Sequence, residues 1–283
     1  MKYLKYFENL INYNHNKEKL TSLEYLNIPK NVEGDFSCNH NDLYSLKFGP
    51  EYIGEDFDCC YNKLTSLEFG PKYIGGEFNC SKNHLTTLEF CAETIGTNLY
   101  CNNNNLTTLK GCPKEINGWF NCFYNNLTSL EFGPEIVKGQ FSCAYNKLTS
   151  LEFGPKIVDS FYCQDNELTS LEFCPKYING WFNCSNNKLT SLEFCPEYVS
   201  GKFICHGNLW ETPISHNIVE KHKIDVDNLY TDDQKEKFGS YEYQKKFLTE
   251  TPEKYKDLEI LGFSNEIKEE FDWLFNAADM GLM

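Results

Sequence analysis

Apolar residues return along most of this chain at intervals of about 21, in a phrase close to F-x-C-x-x-N-x-L-T-S-L-E-F-G-P-x-x-I-x-G. The cysteine column runs Cys38, Cys59, Cys80, Cys101, Cys122, Cys143, Cys163, Cys184 and Cys205, and three residues after each stands an asparagine, from Asn41 to Asn208. Two linked columns that agree throughout define a repeat, and a period in this range belongs to stacked solenoid units. Within a unit, Phe57 and Cys59 are two apart, so a β-strand points both to one face, the expected core. Asn62 then falls where the chain leaves the strand. Its amide can both donate to and accept from unpaired backbone groups, and stacking turns these asparagines into a ladder. Leu64, Leu67, Phe69 and Ile74 are expected to point inward along the return path, and Gly70-Pro71 supplies a turn. One unit alone cannot bury both its edges, so stability requires stacking.

The segment Phe57 to Leu67, FDCCYNKLTSL, resembles the L-x-L-x-x-N-x-L signature of leucine-rich repeats, with Phe and Cys in place of the strand leucines. The short period with proline in the return segment is similar to repeats of secreted bacterial effectors, and N-K-L-T-S-L-E resembles repeat proteins of bacteriophages and large DNA viruses. The resemblance implies an α+β leucine-rich-repeat solenoid, a parallel β-sheet horseshoe of about nine full repeats over residues 20–209. Some bacterial effectors with such repeats carry a C-terminal ubiquitin-ligase domain with a catalytic cysteine. No cysteine follows Cys205 here, so that activity does not carry over.

Irregularities mark the places where the array should change. Cys143 and Cys163 are 20 residues apart, and Val158-Asp159-Ser160 lacks the usual glycine, so a local change in curvature is expected. Leu20 to Val32 reads as a half repeat. In the last unit Leu209 comes one residue early, before Trp210, and the array is expected to end there.

Open solenoid ends need covering. Residues 1–19 place Leu4, Phe7, Leu10 and Ile11 at helical spacing and form the expected N-terminal helical cap. They contain no apolar run of signal-peptide type, and no stretch of the chain approaches a membrane span. Residues 210–283 are expected to be a C-terminal helical cap or a small helical module. Thr251-Pro252-Glu253 has the order of an N-cap, a first-turn proline and an acidic first turn, and Ser264 precedes a helical face of Ile267, Phe271, Leu274, Phe275 and Ala278. At this length independent stability is marginal, which favours the cap.

Charge narrows the partners. A net charge of -15 with a sequence pI near 4.9 argues against broad nucleic-acid binding and favours a protein partner with a basic patch. The fourteen cysteines raise disulfide and zinc readings. Nine sit at the inward strand position, where cysteine acts as a small hydrophobe. Cys91 with Cys112, and Cys174 with Cys195, occupy equivalent turn positions in adjacent repeats, within disulfide reach, although a reducing cytoplasm would keep them as thiols. Cys205, His206, His216 and His222 match no metal-ligand spacing. Cys60, one residue beyond a column cysteine, is expected to face outward with no histidine to activate it. No hydrolase, nucleotide-binding or metalloprotease motif is present, so no catalytic residue, cofactor or metal is expected.

Strand alternation also selects a candidate binding face. Residues before the Phe, between Phe and Cys, and after the Cys should point to the concave surface. There the first repeats place Asp35, Asp56, Asp58 and Glu77, an acidic patch, and the later ones place Tyr100, Trp119, Phe123, Tyr162 and Trp181, with Tyr124 and Tyr145 at the edge. Clustered outward aromatics mark interfaces, most strongly at Tyr100, Trp119 and Phe123. The expectation is a non-catalytic cytoplasmic scaffold or adaptor, in its own cell or a host's, that binds protein and neither membrane nor nucleic acid. A virus-encoded inhibitor of a host protein and a self-assembling structural protein are the alternatives.

Overall fold

Each turn of the coil gives two or three residues to one parallel sheet, because only Phe and Cys of the repeat need be held extended for both to reach the core. The computed structural model describes residues 12–225, 228–250 and 257. Ten strands pair in chain order, beginning with Tyr13–Asn14, Phe36–Ser37 and Phe57–Asp58 and ending with Phe182–Asn183 and Phe203–Ile204. The register repeats the sequence period: Phe57 opposes Phe78, and Phe120 opposes Phe141. A second set of short parallel strands lies on the return path, four of them continuous from Asn31–Val32 to Thr94–Ile95.

Between the two strand sets runs the core. Phenylalanine rings stack from turn to turn, 5.1 Å apart for Phe57–Phe78 and 5.2 Å for Phe141–Phe161, and Leu99 replaces one ring in the series. The column cysteines beside them and both leucines of each repeat from Leu43 and Leu46 to Leu189 and Leu192 are buried. Enclosing a side chain of this size contributes roughly 1.5–3 kcal/mol, and the contribution recurs at every turn.

Where the repeat shortens, the return strands break down to a single bridge, Ile136 to Ile157, while the front strands lengthen to Gln140–Ser142 and Ser160–Tyr162. The missing residue is thus absorbed on the return side.

Three expectations need correction. The Phe69 ring does not point inward. It is 53% exposed, with φ 66°. Gly70 N–H donates to the Leu67 carbonyl at 2.9 Å, closing a β-turn whose third residue must take positive φ, as in type II. That left-handed conformation turns the side chain to the surface, and Phe48, Phe90, Phe132, Phe153, Phe173 and Phe194 repeat it.

Residues 12–19 are not the end of a helical cap. They form a first solenoid turn, with Tyr13 opposite Phe36, a spacing two residues longer than the period. Asn16 joins the turn there by accepting from Ser37 Oγ and the Asn39 N–H. The apolar residues Leu4 to Ile11 lie outside the described residues.

At the other end, Leu209 is not the early ladder leucine. It is exposed, and Trp210, two residues after Asn208, takes the ladder place and is 2% exposed. Trp210 Nε1 donates to the Leu229 carbonyl at 3.1 Å. The chain then forms helices at His216–His222, Asp232–Gly239 and Tyr241–Glu250. A capping box at Thr231 and Gln234 starts the second of them. These helices touch the last turn: the His222 ring lies 4.8 Å from Phe203, and Gln234 Nε2 donates to the Asn208 carbonyl. The N-cap at Thr251 and the helical face after Ser264 lie outside the described residues.

Candidate functional site

The backbone of every turn is fastened by its asparagine. Asn104 Oδ1 accepts from the N–H of Leu85, one turn back, at 3.0 Å, while its Nδ2 donates to the carbonyls of Cys80 and Cys101 at 3.1 and 3.0 Å. Asn62, Asn83, Asn125, Asn146, Asn166 and Asn187 make the same three bonds in their own turns. Parallel strands in a one-turn register, tied by this ladder and backed by two buried leucines, settle the architecture.

The chain is a leucine-rich-repeat solenoid.

No protein-family model matches it, and no curated protein sequence does. Among solved structures it is similar to YopM from Yersinia enterocolitica WA-314, with 18% identity and a TM-score of 0.48, over 62% of this chain and 42% of that one.

On the solenoid's sheet face, the acidic residues hold backbone as well as charge. Asp35 Oδ1 accepts from the N–H of Asp56 at 3.1 Å, and Asp56 Oδ1 accepts from the N–H of Glu77 at 2.7 Å. Glu77 accepts from Asn98 Nδ2, and Asn98 Oδ1 accepts from the N–H of Trp119. This rail needs a bare backbone beside it: a Cβ on Gly76 would lie 2.1 Å from Asp56 Oδ1, and one on Gly118 2.2 Å from Asn98 Oδ1. Asp58 likewise accepts from the N–H of Cys60 and from Asn39 Nδ2. The four carboxylates therefore form one continuous acidic edge, and part of each one's hydrogen-bonding capacity is already used.

Two aromatics stand well out of the face. Trp119 and Trp181 are 48% and 44% exposed, three turns apart in one column. Each indole is seated over the next turn's glycine: a Cβ on Gly139 or on Gly201 would come within 2.5 Å of the tryptophan Cδ1. Tyr100 and Tyr162, also three turns apart, are half-buried in the neighbouring column, with Asn121 and Ser142 between them. Burial and then the Glu77 charge raise the Tyr100 hydroxyl pKa, while burial is the chief cause for Tyr162, so both remain hydrogen-bond donors at neutral pH. At about 4.8 Å per strand, each pair spans about 14 Å.

The position after the column cysteines is less open than alternation predicts, His206 excepted. Cys60 is 6% exposed rather than outward-facing, and Ser81, Asn102, Ala144 and Ser185 are buried as well. The chain turns at once into a left-handed residue, and the side chain between Phe and Cys folds over the turn, as Asp58 does on Cys60 and Asn79 on Ser81. Phe123 is half-buried and meets Tyr124 edge-on at 5.6 Å. Tyr124 and Tyr145 stack at 4.2 Å along the rim. Gln164, which sequence reasoning passed over, has a buried Oε1 with no hydrogen-bond partner among the described residues. Its position in the Cys-plus-one column gave no hint of this.

The thiols are chemically quiet. Burial first, and then the hydrogen bond with Asp58, push the Cys60 thiol up to about 12. All fourteen cysteines are free, Cys91, Cys112, Cys174 and Cys195 among them. Among the described residues, no three His, Cys, Asp or Glu side chains are grouped to hold a metal ion, and no helix is long and apolar enough to cross a membrane.

Proposed function

We propose that this solenoid is a non-catalytic scaffold that holds a protein partner on its sheet face. The observation that carries the reading is the pair of seated, half-exposed tryptophans, Trp119 and Trp181, three turns apart, with Tyr100 and Tyr162 beside them and smaller residues between. Rigid aromatics with no core to fill are the side chains that dominate binding energy at protein interfaces. Between the two anchor pairs, Ser142 and Ala144 leave a floor without large side chains, wide enough to receive a helix or a loop.

The partner presents a basic patch to the edge formed by Asp35, Asp56, Asp58 and Glu77. Such charge placement steers association and sets orientation more than it adds affinity. The nine column cysteines serve as buried core side chains, a use of cysteine that suits a reducing compartment, and we place the protein in a cytoplasm, its own cell's or a host's.

Affinity capture tests this with intact protein, a Trp119→Ala, Trp181→Ala variant and an Asp56→Asn, Asp58→Asn variant, each checked for unchanged circular dichroism. The expected result is a protein retained by the intact chain, lost with the tryptophan variant, and eluted at lower salt from the aspartate variant. Equal retention by all three overturns the reading.

A further inference from the structure

Nine turns of one chain form an internal alignment, and it separates positions that diverge from positions that do not. On the sheet face, the residue before the core ring, or before Leu99 in its place, runs Asp, Asp, Glu, Asn, Trp, Gln, Ser, Trp, Lys from Asp35 to Lys202. The repeats have therefore had time to differ. The turn residue before Gly-Pro, Cys-Pro or, once, Cys91-Ala92 is also exposed, yet in seven turns it is Phe.

Folding does not require Phe there. The turn needs a left-handed residue, and L side chains with a bulky ring adopt that conformation least readily. Gly111 fills the position with φ 94°, so the turn forms there without a ring. Nor do the rings shield one another: among the described residues none of these seven stacks on another, unlike the core rings.

The last four, Phe132, Phe153, Phe173 and Phe194, are consecutive and 46–57% exposed. Beside them an open groove of about 470 Å³ is lined by Ile157, Cys174, Pro175 and Tyr177, with Ile157 and Tyr177 57% and 65% exposed. A glutamate precedes each ring: Glu131, Glu152, Glu172 and Glu193. The serine before each glutamate has a local reason, since Ser129 Oγ accepts from the Glu131 N–H at 3.0 Å and Ser150 from that of Glu152. The four carboxylates have none, being exposed and, among the described residues, outside every ion pair. On the far side Lys176 is already held by Glu197, while Lys114 on the Gly133 carbonyl, Lys156 in the groove lining and Lys221 near Cys195 are the cations set against four carboxylates.

We infer that this second face, away from the sheet, docks a short cationic amphipathic segment of another protein, its apolar side on the phenylalanine stripe and its Lys or Arg residues along the glutamates. Four turns span about 14 Å, the length of about ten helical residues. A second copy of this chain fits poorly, because it would bring the same glutamate row and a net charge of -15 against this one.

The test uses the full chain and synthetic helices about four turns long, one of Leu and Lys, one of Leu and Glu, and one of Gln and Lys without an apolar side, read by fluorescence anisotropy. The Leu–Lys helix is expected to bind and the other two not to. A Phe153→Asn, Phe173→Asn variant, which puts at each site a residue that tolerates the left-handed conformation, is expected to bind at least about tenfold more weakly. Glu152→Gln, Glu172→Gln should reduce the salt dependence; Trp119→Ala, Trp181→Ala should leave the affinity for this helix unchanged, and a loss equal to that of the Phe variant would place the helix on the sheet face and overturn the inference. Equal binding by the Phe variant, or equal binding of the Gln–Lys helix, overturns the inference. So does phenylalanine-dependent self-association in sedimentation velocity, or phenylalanine-dependent cosedimentation with phosphatidylserine vesicles.

Discussion

Replacing Asn104 by leucine tests the asparagine ladder at the middle of the array. The side chains share a heavy-atom count and a branch point, so no cavity is left; the leucine methyls are bulkier, and some overpacking adds to the lost hydrogen bonding. The N–H of Leu85 loses its acceptor at a buried site. The carbonyls of Cys80 and Cys101 each lose one of two amide donors, because Asn83 still serves the first and Asn125 the second. An orphaned buried donor costs about 1–3 kcal/mol, and each shared bond about 0.5 kcal/mol or more, for a total of about 3 kcal/mol. Asn105, the exposed neighbour, is the control, and Asn105→Ala is expected to stay within about 0.5 kcal/mol of the parent. Urea unfolding followed by circular dichroism measures both. Equal stabilities for Asn104→Leu and Asn105→Ala would refute the ladder as a source of stability. Asn104→Asp adds a pH signature. The introduced carboxyl faces two carbonyl oxygens in a buried site, so its folded pKa lies above the unfolded value of about 3.9. The native state then binds the extra proton, and stability is highest in acid and falls as pH rises through the folded pKa.

Three further outcomes follow from the geometry. Gly96→Ala should cost about 3 kcal/mol in urea unfolding, because its Cβ would lie 1.7 Å from the Gly75 carbonyl oxygen and the two turns must part; a loss under about 0.5 kcal/mol would show that they part freely. Trp210→Ala should destabilise by about 3–5 kcal/mol and open the C-terminal helices to limited proteolysis, whereas Leu209→Ala should be neutral; the reverse order would restore Leu209 to the ladder. With a disulfide-exchange chromophore at pH 8, all fourteen thiols should titrate in guanidinium, and Cys60 should be silent on the same timescale in the native protein; a native Cys60 that reacts as fast as free cysteine contradicts its burial and raised pKa.

The period made the solenoid legible, because Phe-x-Cys and the asparagine three residues later each have one structural solution, and the structure places both there. Misreadings came where identity was taken for environment. Phe69 is apolar and was expected inside, but a type II turn forces its third residue left-handed, and that outweighs its hydrophobicity. Cys60 was assigned outward by strand alternation, which stops applying once Tyr61 takes φ 53°. Tyr13 escaped the repeat because its spacing to Phe36 is two residues longer than the period. At the candidate site, the exposure of Trp119 and Trp181 follows directly from alternation. That Asp35 and Asp56 bond the next turn's backbone does not, since it depends on how closely successive turns approach.

A chain held this way separates folding from recognition by position. The asparagine ladder, the stacked rings and the bare glycines fix the backbone at every turn, so the outward sheet positions carry no folding duty beyond the acidic rail and the Asx-type turns. Their divergence is then informative in itself: acidic in the first turns, aromatic in the middle and later ones, as a surface that must match one particular counterpart would be. The phenylalanine and glutamate columns on the other face invert the logic. They are exposed, yet they repeat, and the turn that holds them is satisfied by glycine at Gly111. Uniform positions suit a partner that reads a regular apolar stripe with a charged border, while varied positions suit a partner of irregular shape. The two faces of the solenoid therefore suit two different kinds of contact, and a variant confined to either column should disturb one and spare the other.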